Sequence, residues 1–317
     1  MTSNNPVLIT GGAGLLGSAL VYQLLAAGEQ QPVVLDLAAD PQRLANIRSK
    51  IEYIQDDLGR EGAISEHISR IRPSRIFHLG AVLGQDCENN PPLAQRVNVE
   101  ATFELLEAAR ECGVGQVIFA SSVATFGYDL PERLLSDNFL QRPITFYGVT
   151  KLYGEGAGLF FRRKYGLDFR SLRYPFIVGP GTRQGGVVDY PTEMIVKGIQ
   201  GKAYTANVPP ETRIHVLHVI DAARAMRELS EAPKEKIRSV NYLVDGVRPA
   251  PSAGEIAEMV SRRFPEAKFS FQPDEKLLPI LENVALPIDD SRARKEWGWQ
   301  PRFDYQRIID DFLELLA

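Results

Sequence analysis

Tyr147 and Lys151 stand four residues apart in the stretch TFYGVTKLYGEG (145–156). In a helix that spacing places a phenol and an ammonium on one face. A phenol titrates near ~10 in water, too high for a base at neutral pH. A neighbouring positive charge stabilises the phenolate and lowers that value, so such a pair can move the proton of a hydroxyl. The same spacing also suits a helix face that only stacks a ring on an alkyl stem, and the pair alone does not separate the two readings. Ser122 ends the apolar run QVIFASSV (116–123) just upstream. Its hydroxyl suits a substrate oxygen, or else the backbone at a strand end.

The context for the pair lies at the start of the chain. TGGAGLLG (10–17) follows the apolar run PVLITG (6–11) and opens a helical segment, with glycines at 11, 14 and 17. Gly11 permits a tight turn, Gly14 lets a pyrophosphate approach the backbone, and Gly17 allows close helix–strand packing. The N–H groups of the first helical turn, at Leu15, Leu16 and Gly17, then face the phosphates with the positive end of the helix dipole. Asp36 closes the second apolar run, PVVLDL (32–37), where a carboxylate accepts both hydroxyls of a ribose and repels a 2′-phosphate. Together these features indicate a dinucleotide site, for NAD rather than NADP. Arg43 and Arg48 are the residues that keep NADP open, since either could reach a 2′-phosphate. With a nicotinamide present, Ser122, Tyr147 and Lys151 read as a catalytic set: the serine holds the substrate oxygen, the tyrosine moves the proton, and the lysine steadies the phenolate and bonds the ribose.

These residues need a scaffold that brings strand ends together. Apolar runs at 6–11, 32–37, 51–58, 75–82, 116–123 and 167–178 alternate with helical segments, including 15–28, 60–71, 92–112 and the segment opening at Tyr147. Near-continuous apolar strands between helices predict an α/β fold: a Rossmann doubly wound parallel sheet covered on both faces. Residues 179–211 are rich in glycine and proline, and they precede a strand-like RIHVLHVI (213–220), a helix from Asp221 and a strand-like VNYLV (240–244). A helix at 252–264, a strand-like KFSFQP and a last helix from about 304 complete the chain. We expect residues 1–178, with 212–246 returning to them, to form the dinucleotide domain. Residues 179–211 and 247–317 then form a smaller mixed α/β substrate lobe at the carboxyl ends of the strands.

The 317 residues are 44% hydrophobic and carry a net charge of −4, which gives no reason to expect nucleic acid or an anionic membrane as partner. Two cysteines, Cys87 and Cys112, make neither a disulfide framework nor a metal spacing, and a reducing cytoplasm is the expectation. No signal peptide or transmembrane run is read in the chain. His215 and His218, separated by two residues in a strand-like run, face opposite sides, so no metal site is expected.

TGGAGLLG, Asp36, DDL (56–58), HLGA (78–81), VN (97–98), ASSVATFG, YGVTK and LRYP (172–175) together resemble the extended short-chain dehydrogenase/reductase superfamily over nearly the whole chain. The resemblance implies that Asp57 and Leu58 contact adenine and that Leu79, Gly80 and Ala81 line the cofactor, where the usual pattern is HLAA. It implies that Ser121 contacts the cofactor, that Tyr174, Pro175 and Ile177 pass beside the nicotinamide, that Asn98 steadies the surroundings of Lys151, and that helices matching 92–112 and 147–165 pair in a homodimer.

Two branches compete. Nucleotide-sugar epimerases and dehydratases usually read LRYFNVYGP, with an asparagine at the diphosphate; here LRYPFIVGP puts Phe176 at that place. KYGLDFRSLRYP, PPETR, IDDSRARKEWGW and YQRIIDDFLELL instead resemble short-chain L-threonine 3-dehydrogenases and related sugar-acid dehydrogenases. The threonine enzymes usually carry serine at the place of Gly84, threonines at Val187 and Val188, and Trp-Pro at Leu286-Pro287. The changes withdraw polar anchors and imply a different small hydroxy acid, sugar acid, polyol or amino alcohol. The expected substrate-contacting residues are Gly84, Ser122, Arg183, Gln184, Val187, Arg213 and Leu286, with the arginines suited to an anionic group.

Overall fold

The computed structural model describes residues 6–127, 130, 134–182, 188–276 and 286–316. Seven strands form one parallel sheet: β1 (Val7–Thr10), β2 (Val33–Asp36), β3 (Glu52–Gln55), β4 (Arg75–His78), β5 (Gln116–Ser122), β6 (Asp168–Tyr174) and β10 (Asn241–Leu243). Their spatial order is β3-β2-β1-β4-β5-β6-β10, with Ile9 in register with both Val34 and Phe77. The expected doubly wound parallel sheet is present. Its order reverses between β1 and β4, and the crevice at their carboxyl ends is where such sheets hold ligands.

Alternation along the apolar strands explains how one sheet supports two covered faces. Ile9, Val34, Phe77, Ile118 and Leu172 point into a core shared with Leu20, Val21 and Leu24 of α1 (Leu15–Ala26) and with Ala222, Met226 and Leu229 of a later helix, Val219–Glu231. Leu8, Val33, Ile76, Val117 and Phe169 point the other way. There they meet Ile64 and Ile68 of α2 (Ala63–Ile71), together with Leu105 and Phe161. The Val, Leu, Ile, Phe and Met side chains of both cores are each worth about 1.5–3 kcal/mol on burial.

The helix carrying the Tyr-Lys pair, α6 (Phe146–Tyr165), follows a short α3 (Gly84–Asn89), an α4 (Pro91–Ala94) and an α5 (Ala101–Glu111). Thr145 caps α6 by accepting the Gly148 N–H, Gly166 ends it in a left-handed conformation, and Arg162, Arg163 and Lys164 lie in its last turn, where the helix dipole favours cations. A methyl group on Gly148 would come 2.0 Å from the Ala124 carbonyl oxygen, so glycine is what lets the helix start seat against the segment after β5. The segment expected as one helix over 92–112 is interrupted by a π-helical stretch, Gln95–Glu100, between α4 and α5.

The region after β6 differs more from the pattern. The strand-like 213–220 contains only a three-residue strand, β9 (Val216–His218), paired with β7 (Phe176–Val178), and α8 (Val219–Glu231) begins at once. Within the glycine- and proline-rich 179–211 lie a helix, α7 (Tyr190–Ile199), and β8 (Tyr204–Ala206), which pairs with β11 (Phe269–Phe271). Helix α9 (Ala253–Arg263), α10 (Ser291–Trp297) and α11 (Tyr305–Leu316) complete the order. Val178, Met194, Ile195, Ile256, Val260 and Phe312 share a separate apolar core there. Among the described residues no helix is long and apolar enough to cross a membrane.

Candidate active site

At the switch point the first turn is tightly determined. Gly11 has φ +70°, and a methyl group on it would lie 2.6 Å from the Gly80 nitrogen. A methyl on Gly17 would lie 2.2 Å from the Gly11 carbonyl oxygen. Among the described residues no side chain caps α1 and no acid occupies its first turn, so the N–H groups of Leu15, Leu16 and Gly17 are free to meet an anion. Asp36 leans over the same turn: its Oδ2 accepts the Ala13 N–H at 2.9 Å and its Oδ1 accepts the Ala38 N–H at 3.0 Å. A carboxylate has about four acceptor directions, so two remain for ribose hydroxyls. The residues present fit a dinucleotide. The two arginines that left NADP open are both engaged: Arg43 donates to the Gly181 carbonyl at 2.6 Å, and Arg48 stacks 5.1 Å from the Tyr53 ring centroid.

The neighbouring strand ends complete the crevice. His78 bonds Thr10 Oγ1 through Nδ1 (2.7 Å) and Thr102 Oγ1 through Nε2 (3.0 Å), and burial draws its pKa down to about 3, which keeps it neutral. Leu79 donates to the Thr10 carbonyl, and Ala81 follows Gly80 along the rim. The glycine in HLGA also has a packing reason, since a methyl on Gly80 would meet Leu58 Cδ1 at 2.3 Å. Leu58 is buried, and Asp57 beside it accepts the Gly59 N–H.

Ser122 and Tyr147 are brought together closely enough for the serine side chain to act on the phenol's titration, and Ser122 Oγ accepts the Ala124 N–H at 3.1 Å. Lys151 is buried, its Nζ 5.6 Å from the Tyr147 ring centroid and 4.8 Å from that of Phe119. Burial raises the Tyr147 pKa, helped by Cys87, while the neighbouring Ser122 side chain opposes the rise. Burial brings Lys151 down to about 8, against the pull of Cys87 and Glu155 toward its charged form. The pair is therefore poised near neutrality on the lysine side and protonated on the tyrosine side. Asn98 sits in the π-helical stretch, a geometry common at functional sites. Its Oδ1 accepts the Val82 N–H, and its Nδ2 donates to the Val82 carbonyl and to Thr150 Oγ1, tying the loop after β4 to α6.

Other expected residues are placed differently. Tyr174 turns its ring into the core and donates its hydroxyl to the Ala222 carbonyl, leaving buried Pro175 and half-buried Ile177 along that edge. Ser121 faces away from Ser122 and donates to Glu155 Oε1 at 2.5 Å. Gly84 opens α3 with φ +38° and open space where a side chain would project. Arg213 places its guanidinium on Glu255 (2.8 and 2.9 Å) and the Ala250 carbonyl. Leu286 is buried with Phe126, Leu135, Leu243 and Ile288. Arg183, Gln184 and Val187 lie outside the described residues. His215 pairs with Asp245, and His218 with Asp311, each separately.

One polar cluster escaped the sequence reading. Glu155, buried on α6, receives Ser121, Arg173, Gln141 and Asn241, while Arg173 also donates to the carbonyl of Asp137, whose buried Oδ2 has no partner among the described residues. The available signal was the fourfold spacing Tyr147, Lys151, Glu155, which puts all three on one helix face.

The sequence matches the NAD dependent epimerase/dehydratase family over residues 7–244, and the chain belongs to that family. Membership makes it an NAD-dependent enzyme. The mitochondrial L-threonine 3-dehydrogenase of Bos taurus is 31% identical over 309 residues, covering 97% of this chain and 81% of its own length. Among solved structures, the GalE-like L-threonine dehydrogenase from Cupriavidus necator in its holo form matches with a TM-score of 0.89 at 26% identity, covering 98% of this chain and all of that one. A UDP-glucose 4-epimerase from Thermotoga maritima matches with a TM-score of 0.86 at 21% identity over 98% of this chain and 100% of that one, a likeness of fold alone.

Proposed function

We propose that the protein is an NAD-dependent dehydrogenase that oxidises a secondary hydroxyl of a small polar molecule: a hydroxy acid, sugar acid, polyol or amino alcohol. The observation that carries this reading is the convergence of Ser122 at the end of β5, Tyr147 and buried Lys151, whose Nζ lies 5.6 Å from the Tyr147 ring centroid, at the edge of the glycine-turn crevice. When bound, NAD would supply the hydride acceptor for the carbinol carbon. Ser122 orients the substrate oxygen. Burial favours the protonated phenol of Tyr147, so the phenolate that takes the hydroxyl proton needs the Lys151 ammonium and a positive nicotinamide together to stabilise it. Asp36 would hold the adenosine ribose, and the N–H groups at Leu15, Leu16 and Gly17 would hold the pyrophosphate.

Oxidation with free cofactor exchange is favoured over internal epimerisation of a nucleotide-sugar. Phe176 offers no hydrogen bond at the place of the diphosphate asparagine, and Arg213 is committed to Glu255. A desolvated diphosphate needs charge-assisted partners. Threonine, the substrate named for the relatives, is disfavoured. Val188 and Leu286 both sit in apolar cores where threonine enzymes carry Thr and Trp, and Gly84 supplies no hydroxyl. Arg183 and Gln184 remain the proposed anchors for an anionic substrate group.

In this reading residues 1–178 with 212–246 hold the cofactor and the remainder shapes the substrate site. The enzyme works in the cytoplasm and as a homodimer, and the part-exposed Phe103, Tyr153, Phe160 and Tyr165 on α5 and α6 support the dimer. An absorbance screen for NADH formation across L-threonine, sugar acids, polyols, amino alcohols and UDP-sugars tests the proposal. Turnover of a small alcohol with little or none for L-threonine is expected, and micromolar calorimetric binding of UDP or a UDP-sugar overturns it.

A further inference from the structure

The buried carboxylate of Glu155 has no part in the proton transfer just described, yet more of the site converges on it than on any member of the trio. It lies one helical turn beyond Lys151 and two beyond Tyr147, on the same face of α6. Oε1 accepts the Ser121 hydroxyl at 2.5 Å and Arg173 Nε at 2.8 Å. Oε2 accepts Arg173 Nη2 at 2.6 Å, Gln141 Nε2 at 3.0 Å and Asn241 Nδ2 at 3.4 Å. Arg173 spends its remaining Nη1 on the Asp137 carbonyl at 2.7 Å. Glu155 and Arg173 are 1% and 2% exposed, so neither charge has water as an alternative partner.

We propose that Glu155 is a positioning residue, which holds the carboxyl ends of β5 and β6 against the helix of Tyr147 and Lys151 and keeps the Lys151 ammonium charged. This rests on the dehydrogenase reading above. Ser121 directly precedes Ser122, and Arg173 directly precedes Tyr174-Pro175, so one carboxylate clamps both strand ends at the crevice. The electrostatic part follows from the same geometry. Lys151 faces Tyr147 and Glu155 on its own helix, Cys87 on α3 and neutral His78 on β4. Glu155 in turn balances Arg173, with Asp137 beside that arginine. Removing the negative charge leaves a buried guanidinium opposing a lysine that burial already draws down to about 8.

The test uses Glu155→Gln in the full chain. With [15N]lysine-labelled apoprotein, and the Lys151 Nζ signal assigned by its loss in Lys151→Met, the titration of Lys151 should move down by about one pH unit or more. With NAD and an accepted alcohol, the rising limb of kcat against pH should move up, because the phenolate loses its cation, while KM and NAD affinity stay within about threefold. A Lys151 titration and kcat profile that both stay at their wild-type positions overturn the proposal, even if the variant melts earlier. Should Glu155→Gln fail to fold, the double variant Glu155→Gln, Arg173→Gln removes both buried charges and leaves neither unpaired. Its kcat should fall by about tenfold or more at unchanged KM, and full kcat overturns the proposal. If the wild type oxidises no alcohol, the functional reading fails while the Lys151 titration still decides this one.

Discussion

Asp137 offers the sharpest test of how this interior handles charge. Asp137 is 8% exposed; Oδ1 accepts the Leu243 N–H at 2.6 Å, and Oδ2 is buried with no partner among the described residues. Burial pushes its pKa up from 3.8 to about 7, although the Leu243 bond and the charges of Arg173 and Arg292 pull the other way. The folded chain therefore holds a proton on Asp137 where the unfolded chain has lost it. The stabilising effect of that proton is complete below the unfolded value of 3.8 and disappears as pH rises to about 7. At about 1.36 kcal/mol per pH unit, the loss across that window is about 4 kcal/mol. Asp137→Asn keeps an oxygen for the Leu243 N–H and cannot ionise, so it lacks this loss. Urea unfolding of both proteins at pH 4 and pH 8 isolates the effect, because every other titrating group is common to the two. The difference in unfolding free energy should shift by about 4 kcal/mol toward the Asn variant between these pH values. A difference that stays constant within about 1 kcal/mol would refute the assignment of a protonated, buried Asp137.

Two further outcomes concern the cofactor and the trio. NAD should bind at least tenfold more tightly than NADP (about 1.4 kcal/mol), because Asp36 meets a 2′-phosphate with like charge. Titration of both oxidised cofactors into the apoprotein checks this, and equal affinities would assign the discrimination to Arg43 or Arg48. Tyr147→Phe keeps the ring but removes the transferable proton, so kcat should drop by about a hundredfold or more with NAD affinity nearly unchanged. Near-normal turnover would exclude Tyr147 as the acid/base.

The sequence by itself determined what is local. A strand, three spaced glycines and a helix form one contiguous unit, and Asp36 ends the next strand, so the dinucleotide crevice was legible from composition and spacing. Near-continuous apolar strands required two covered faces, which specified the parallel sheet before any contact was known. Tyr147 and Lys151 share a helix face by periodicity alone. Tertiary structure decided what spans distant segments. Ser122 reaches Tyr147 only because Gly148 lets α6 seat beside the end of β5. Asn98 reaches Thr150 from a π-helical stretch that no residue spacing announces. Strand β8 was hidden among glycines and prolines because its partner, β11, lies some sixty residues later and each strand is three residues long. Arg213, which a sequence reading offers to an anionic substrate, is held instead by Glu255 of a helix forty residues away. Glu155 looks like an ordinary helical acid until β5, β6 and β10 close around it, since the chemistry of a buried charge is set by partners that only the fold supplies.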